Sequence, residues 1–172
     1  TANGRNGSKR KFMPCPNNLK NQFMITESLS KNNFVRRARS EDVDAIHHIL
    51  DMEPFKYDEN LPYDRSWLVQ LVENERCLTL VYESEGSIKG FISGEKMVSG
   101  AVMIWFCAVK KEFQNSVIGI RLYFEFEKIC REEGVTGILA YGYKTSAGML
   151  KRLNFFTDGR MYQEFFKILK EE

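Results

Sequence analysis

The stretch Ala101–Gly119, AVMIWFCAVKKEFQNSVIG, decides how the chain is read. Its apolar run ends at Val109 and has the character of a buried strand. A short polar loop, Lys110–Ser116, comes next, and Gly119 then stands near the start of a helical pattern. The first turn of a helix leaves main-chain N–H groups unpaired and directed outward, so strand, tight turn and helix start together create an anion site. A phosphorylated ligand is the class of molecule this implies.

On the C-terminal side, Ile118, Leu122, Phe126 and Ile129 share one stripe and predict a helix over Val117–Glu133 that Gly134 stops. Val135–Tyr141 reads as a strand, Thr145–Leu153 as a short helix, and Phe155–Leu169 as a hairpin turning at Gly159 and Arg160. On the N-terminal side, Cys77–Tyr82 and Ile88–Ser93 flank a turn at Glu83–Ser87 built on Gly86. A second hairpin returns through Ser99 and Gly100 to Ala101–Val109, which predicts an antiparallel meander. Further back, Phe34–Ala38 is a short strand, and Ser40 is placed to cap a helix carrying Val43, Ile46 and Leu50. Asp64 or Ser66 caps another, with Trp67, Leu68, Leu71 and Val72 on one face. The predicted class is mixed α/β, a mostly antiparallel central sheet flanked by helices.

With 172 residues, the chain has room for one domain with a sizeable core. Hydrophobic residues at 43% and charged residues at 28% are ordinary for a globular protein. Cys15, Cys77, Cys107 and Cys130 stand far apart, without the spacing of a zinc cluster or a disulfide scaffold, which points to a reducing compartment: intracellular, cytoplasmic or organelle matrix. No apolar stretch reaches the roughly twenty residues of a membrane span, so no membrane partner is expected. His47 and His48 are adjacent on a helix, point in different directions and make no metal pair.

The net charge of +2 conceals an asymmetry. Residues 1–33 carry six basic side chains against the single acid Glu27, leaving 19 basic and 22 acidic residues in the rest. This segment lacks helical or strand periodicity, and Pro14 and Pro16 interrupt backbone pairing. It is expected to be a flexible basic arm whose partners are nucleic acid or an acidic protein surface. Residues 34–172 form the folded domain.

The element order and the loop residues resemble the GNAT N-acetyltransferase superfamily. In that family a strand and turn are followed by an Arg/Gln-x-x-Gly-x-Gly/Ala loop holding the pyrophosphate of acetyl-CoA. Here Gln114, Asn115, Ser116, Val117, Ile118 and Gly119 align with it without a gap, and Met149–Phe155 (MLKRLNF) is similar to the family's Leu-Tyr-x-x-Leu-Gly-Phe segment. The resemblance spans roughly Phe34–Leu169 and implies the GNAT acyl-CoA N-acyltransferase fold, with acetyl-CoA as co-substrate and an amine of unknown identity as acceptor.

Residue by residue, main-chain N–H groups from Gln114 to Ile120 would face two phosphates. Gly119 lets the backbone approach, and Lys110 and Lys111 add exposed charge. Cys107, Ala108 and Val109 would offer main-chain groups to the pantetheine and to the acetyl carbonyl, polarising it. Four positions depart from the family pattern: Val117 replaces the first glycine of the loop, Leu150 the tyrosine that protonates the leaving thiolate, Tyr143 an asparagine, and Asn154 the glycine before Phe155. Tyr143 is therefore the candidate acid, and Glu95 the candidate base for the amine. Two functions follow. One is acetyl transfer from acetyl-CoA to a primary amine of a small molecule or protein. The other is a catalytically silent GNAT-fold structural subunit of a larger protein or nucleoprotein assembly, anchored by its basic arm.

Overall fold

Five strands, side by side in sequence order, build one sheet in the computed structural model of the chain, which describes residues 33–52, 64–141 and 147–156. β1 (Asn33–Arg37), β2 (Cys77–Ser84), β3 (Ser87–Lys96) and β4 (Val102–Val109) run antiparallel, and β5 (Ile138–Ala140) joins β4 in parallel. The expected meander is present, and β1 extends it. Glu85 and Gly86, both at positive φ, make the two-residue turn between β2 and β3, so the strands reach closer to the turn than the sequence predicts.

Strand alternation sends neighbouring side chains to opposite faces. Val81, Phe91 and Ala108 pack with α1 (Val43–Leu50) and α2 (Arg65–Glu73) through Ile46, Leu50, Leu68 and Leu71. The other face receives α3 (Ile118–Glu132), whose Phe126 ring lies so close to Gly94 that a Cβ there would stand 2.7 Å from it. A side chain at Gly94 would push α3 off the sheet. Buried Thr79 fixes α2 to the sheet, donating to Leu71 O at 2.7 Å while sharing a 2.8 Å bond with Ser93.

Ser40 does not begin α1 directly. A 3-10 turn, Ser40–Asp42, intervenes, and buried Asp42 is the residue that organises the entry. Its carboxylate accepts from Arg39 N at 2.8 Å and from both terminal nitrogens of Arg36, at 2.6 and 2.9 Å; Arg36 Nε donates to Glu83 at 2.8 Å. Burial raises the Asp42 carboxyl pKa, but the bonds from Arg36 and Arg39 outweigh it and hold the group below its ordinary value.

β5 is shorter than the expected Val135–Tyr141 because Val135 N is taken by Cys130 O at the end of α3, and Gly137 O serves Val102 N before regular pairing starts. Residues 33–52 and 64–141 belong to one unit and residues 147–156 to a second. In the second, α4 (Ala147–Arg152) ends with Asn154 at φ +63°, Asn154 N bonding to Lys151 O and Phe155 N to Leu150 O. That is a Schellman ending, whose left-handed position glycine serves best and asparagine next. Asn154 thus performs the conformational task of the family's glycine. Phe155 and Phe156 belong to no strand, and the rest of the expected hairpin lies outside the described residues, as does the arm up to residue 32.

Candidate functional site

The loop after β4 contains a short 3-10 turn, Lys111–Phe113, and then Asn115 at φ +70°, a left-handed position that asparagine tolerates. Gln114 Nε2 reaches back to Val109 O at 3.4 Å, tying the two ends of the loop together. α3 then opens on Val117, which has no side chain able to cap it. Ile118 N donates to Ser116 Oγ at 3.2 Å and Arg121 N to Val117 O at 2.9 Å. Among the described residues nothing takes the amides of Gly119 and Ile120. A Cβ on Gly119 would find only Val109 Cγ2, at an ordinary 3.8 Å, so internal packing does not require glycine there.

Val117 adopts φ −79°, ψ −1°, open to any L-residue, and is 42% exposed. The backbone therefore does not demand the family's glycine at this position, and the valine side chain faces solvent at the head of the helix. Lys89 adds a cation that the sequence did not place here: its Nζ lies 4.9 Å from the centre of the Phe113 ring, and its carbonyl accepts from Lys110 N at 2.9 Å.

β4 leads directly to this loop, and its two halves differ. Val102, Met103 and Ile104 pair with β5, whereas no strand among the described residues pairs with Trp105–Val109 on that side. Lys110 N bonds to Lys89 on β3, so antiparallel alternation turns the main-chain groups of Ala108 toward β3 and those of Cys107 and Val109 toward the open edge. Of the three residues grouped on sequence, Cys107, with both main-chain groups, and Val109, with its N–H, are the ones without a partner on that edge among the described residues, the Val109 carbonyl being taken by Gln114. Desolvation pushes the Cys107 thiol up to about 12, which keeps it protonated at neutral pH.

Glu95 lies opposite Met103 and its Oε2 accepts a long 3.4 Å bond from Trp105 Nε1. Val109 is six residues beyond Met103, roughly 20 Å along an extended strand, so Glu95 and the helix head mark opposite ends of the open edge. Tyr143 lies outside the described residues. Trp105 was missed in the sequence because its position depends on a bulge: Ser93 pairs with Phe106 and Gly94 with Ile104, leaving Trp105 extra on β4. A cleft of about 430 Å³ opens elsewhere, beside Arg36, Asp42, Glu83 and Lys110, where the Arg36 guanidinium is already held by two carboxylates. Among the described residues no group of three or more His, Cys, Asp and Glu could hold a metal ion, and no helix is long and apolar enough to cross a membrane.

Sheet, loop and uncapped helix make an α/β domain whose strand β4 is unpaired on one side beyond Ile104 among the described residues. A family model described as acetyltransferase (GNAT) family matches residues 43–155, and the chain belongs to that family. No curated protein matches the sequence. Solved structures of similar fold include an acetyltransferase from Trypanosoma brucei, 15% identical, with 78% of this chain and 99% of that one covered and a TM-score of 0.63. An aminoglycoside acetyltransferase from an uncultured soil metagenomic sample is 18% identical over 80% and 97% of the two chains, with a TM-score of 0.60. The PaiA N-acetyltransferase from Thermoplasma acidophilum, solved in complex with coenzyme A, is 18% identical over 76% and 94%, with a TM-score of 0.61. At these identities the likeness is one of fold.

Proposed function

We propose that the chain is an acetyl-CoA-dependent N-acetyltransferase acting on a primary amine. The observation that carries this is the head of α3, where the amides of Gly119 and Ile120 have no partner among the described residues and a glycine leaves the surface bare. Such a cradle suits a diphosphate, because unpaired helix amides and the helix dipole both favour negative charge. The amides of Asn115, Val117, Gly119 and Ile120 would hold the pyrophosphate, whereas those of Gln114, Ser116 and Ile118, also expected there from the sequence, already donate to Lys111 O, Phe113 O and Ser116 Oγ and shape the loop. Lys89, Lys110 and Lys111 would add attraction from solvent. When bound, acetyl-CoA supplies an activated acetyl thioester.

The chain's own groups would do the rest. Main-chain N–H groups of Cys107 and Val109 lie on the open edge, where donors to a carbonyl oxygen lower the barrier to attack. The protonated Cys107 thiol is a poor nucleophile, which favours direct transfer to the amine. Glu95 would take the ammonium proton directly or through water, and Tyr143 would give a proton to the departing sulfur. Residues 34–172 would form the catalytic domain and residues 1–33 a basic arm. The free thiols of Cys77, Cys107 and Cys130 fit a reducing, intracellular location.

Exposed Val117 and the absence of a tyrosine at Leu150 favour a second function, the silent structural subunit anchored by its arm. The two are separated by isothermal titration with acetyl-CoA, followed by mass spectrometry of primary amines incubated with it. Saturable binding and an added acetyl group are expected for the enzyme. Absence of binding at millimolar acetyl-CoA rejects it. Removal of residues 1–33 is expected to release the silent subunit from its assembly, and unchanged co-purification would reject the anchor.

A further inference from the structure

We propose that the sheet face beside the Trp105 bulge receives a primary amine with an aromatic or similarly bulky apolar body, its ammonium on Glu95 and its ring against Trp105. This rests on the amine-acetylating function above and names the class of acceptor.

The register places the residues. Cys77, Glu95, Met103 and Leu139 lie opposite one another across β2, β3, β4 and β5 on the face that carries α1 and α2. Phe106, one step along, packs with Phe91 and is met edge-on by Trp67 of α2, ring centres 5.5 Å apart. Beyond Trp67 the apolar face continues exposed: Trp105 is 47% exposed and Leu139, opposite Met103, 45%. A tryptophan and a leucine facing water on the same sheet face suit an apolar ligand.

Charge narrows the choice. The strands β3, β4 and β5 carry one acidic residue between them, Glu95, and its carboxylate touches the Trp105 indole. A lone carboxylate beside an aromatic face suits one ammonium on an apolar body, with a cation–π contribution from the ring. A polyamine would need several carboxylates, each desolvated only against its own charge. The bulge is what brings Trp105 to this face next to Phe106, so the strand geometry and the ligand chemistry agree.

The test is isothermal titration of the full chain with 2-phenylethylamine, n-propylamine, spermidine and 3-phenylpropionate, each alone and with saturating coenzyme A. The expected result is that 2-phenylethylamine binds about tenfold or more tighter than the other three, and that Trp105→Ala and Glu95→Gln each weaken it about tenfold while far-UV circular dichroism stays unchanged. Equal or better binding of spermidine, equal binding of the carboxylate, no binding of any amine, or indifference to Trp105→Ala overturns the inference. Acetyl-CoA titrated separately keeps the two claims apart. Coenzyme binding without selective amine binding rejects only the acceptor class, and selective amine binding without coenzyme binding rejects only the acetyl-CoA assignment.

Discussion

The three α-helices among the described residues of the larger unit begin in two different ways. α1 and α2 each start on an aspartate: Asp64 caps α2 by accepting from Ser66 N at 3.0 Å, whereas Asp42 makes no side-chain cap bond to α1 itself and accepts from Arg39 N at the head of the 3-10 turn leading into it. α3, the longest of them, starts on Val117 and has no carboxylate in its first turn. Every helix start carries partial positive charge, so where the chain provides its own anion the site is closed, and where it provides none the site stays available. The missing carboxylate at α3 is what makes it the ligand end in the proposed function.

The largest effect is expected at Gly119. Gly119→Leu fits the fold, since its Cβ meets only an ordinary contact, and it is a better helix former. It is expected to weaken acetyl-CoA binding by roughly a hundredfold, about 2.7 kcal/mol, in calorimetric titration with unchanged circular dichroism. On the closed side, Asp42→Ala should cost roughly 2 kcal/mol in urea unfolding, less than a fully buried pair because Arg36 keeps Glu83. The same pair gives a pH signature. The Asp42 pKa is lower folded than unfolded, so its contribution is complete above about pH 4 and is lost as pH falls through the lower folded value. Asp42→Asn should flatten the fall in urea midpoint below about pH 4.

Val117→Asp makes α3 resemble its neighbours. It is expected to raise the urea midpoint while weakening acetyl-CoA binding about tenfold, because the new carboxylate would compete with phosphate for the same amides. The smallest effect is expected for Asp64→Ala, a modest drop in thermal midpoint with acetyl-CoA affinity unchanged, read from parallel melting and titration.

Much of the fold was legible because it depends on local patterns. The apolar run to Val109, the stripe from Ile118 to Ile129 and the Gly86 turn each follow from periodicity or backbone freedom. The helix head was legible for the same reason, since a strand, a loop and a glycine suffice to locate it. What escaped depended on partners distant in sequence. Asp42 organises α1 through Arg36 and Glu83, the Trp105 bulge exists only in register with Ser93 and Gly94, and β5 loses its first residues to bonds with Cys130 and Val102. The departure at Asn154 looked like a loss in sequence and is a conformational equivalent in structure.

The proposed cradle is made of particular amides, so amide chemical shifts report on it most directly. In a 15N–1H titration of the full chain with coenzyme A, the amides of Val117, Gly119 and Ile120 are expected to shift and saturate together while that of Ser66 at the closed start of α2 stays in place. Saturation at another site, with the Gly119 and Ile120 amides unmoved, would contradict it.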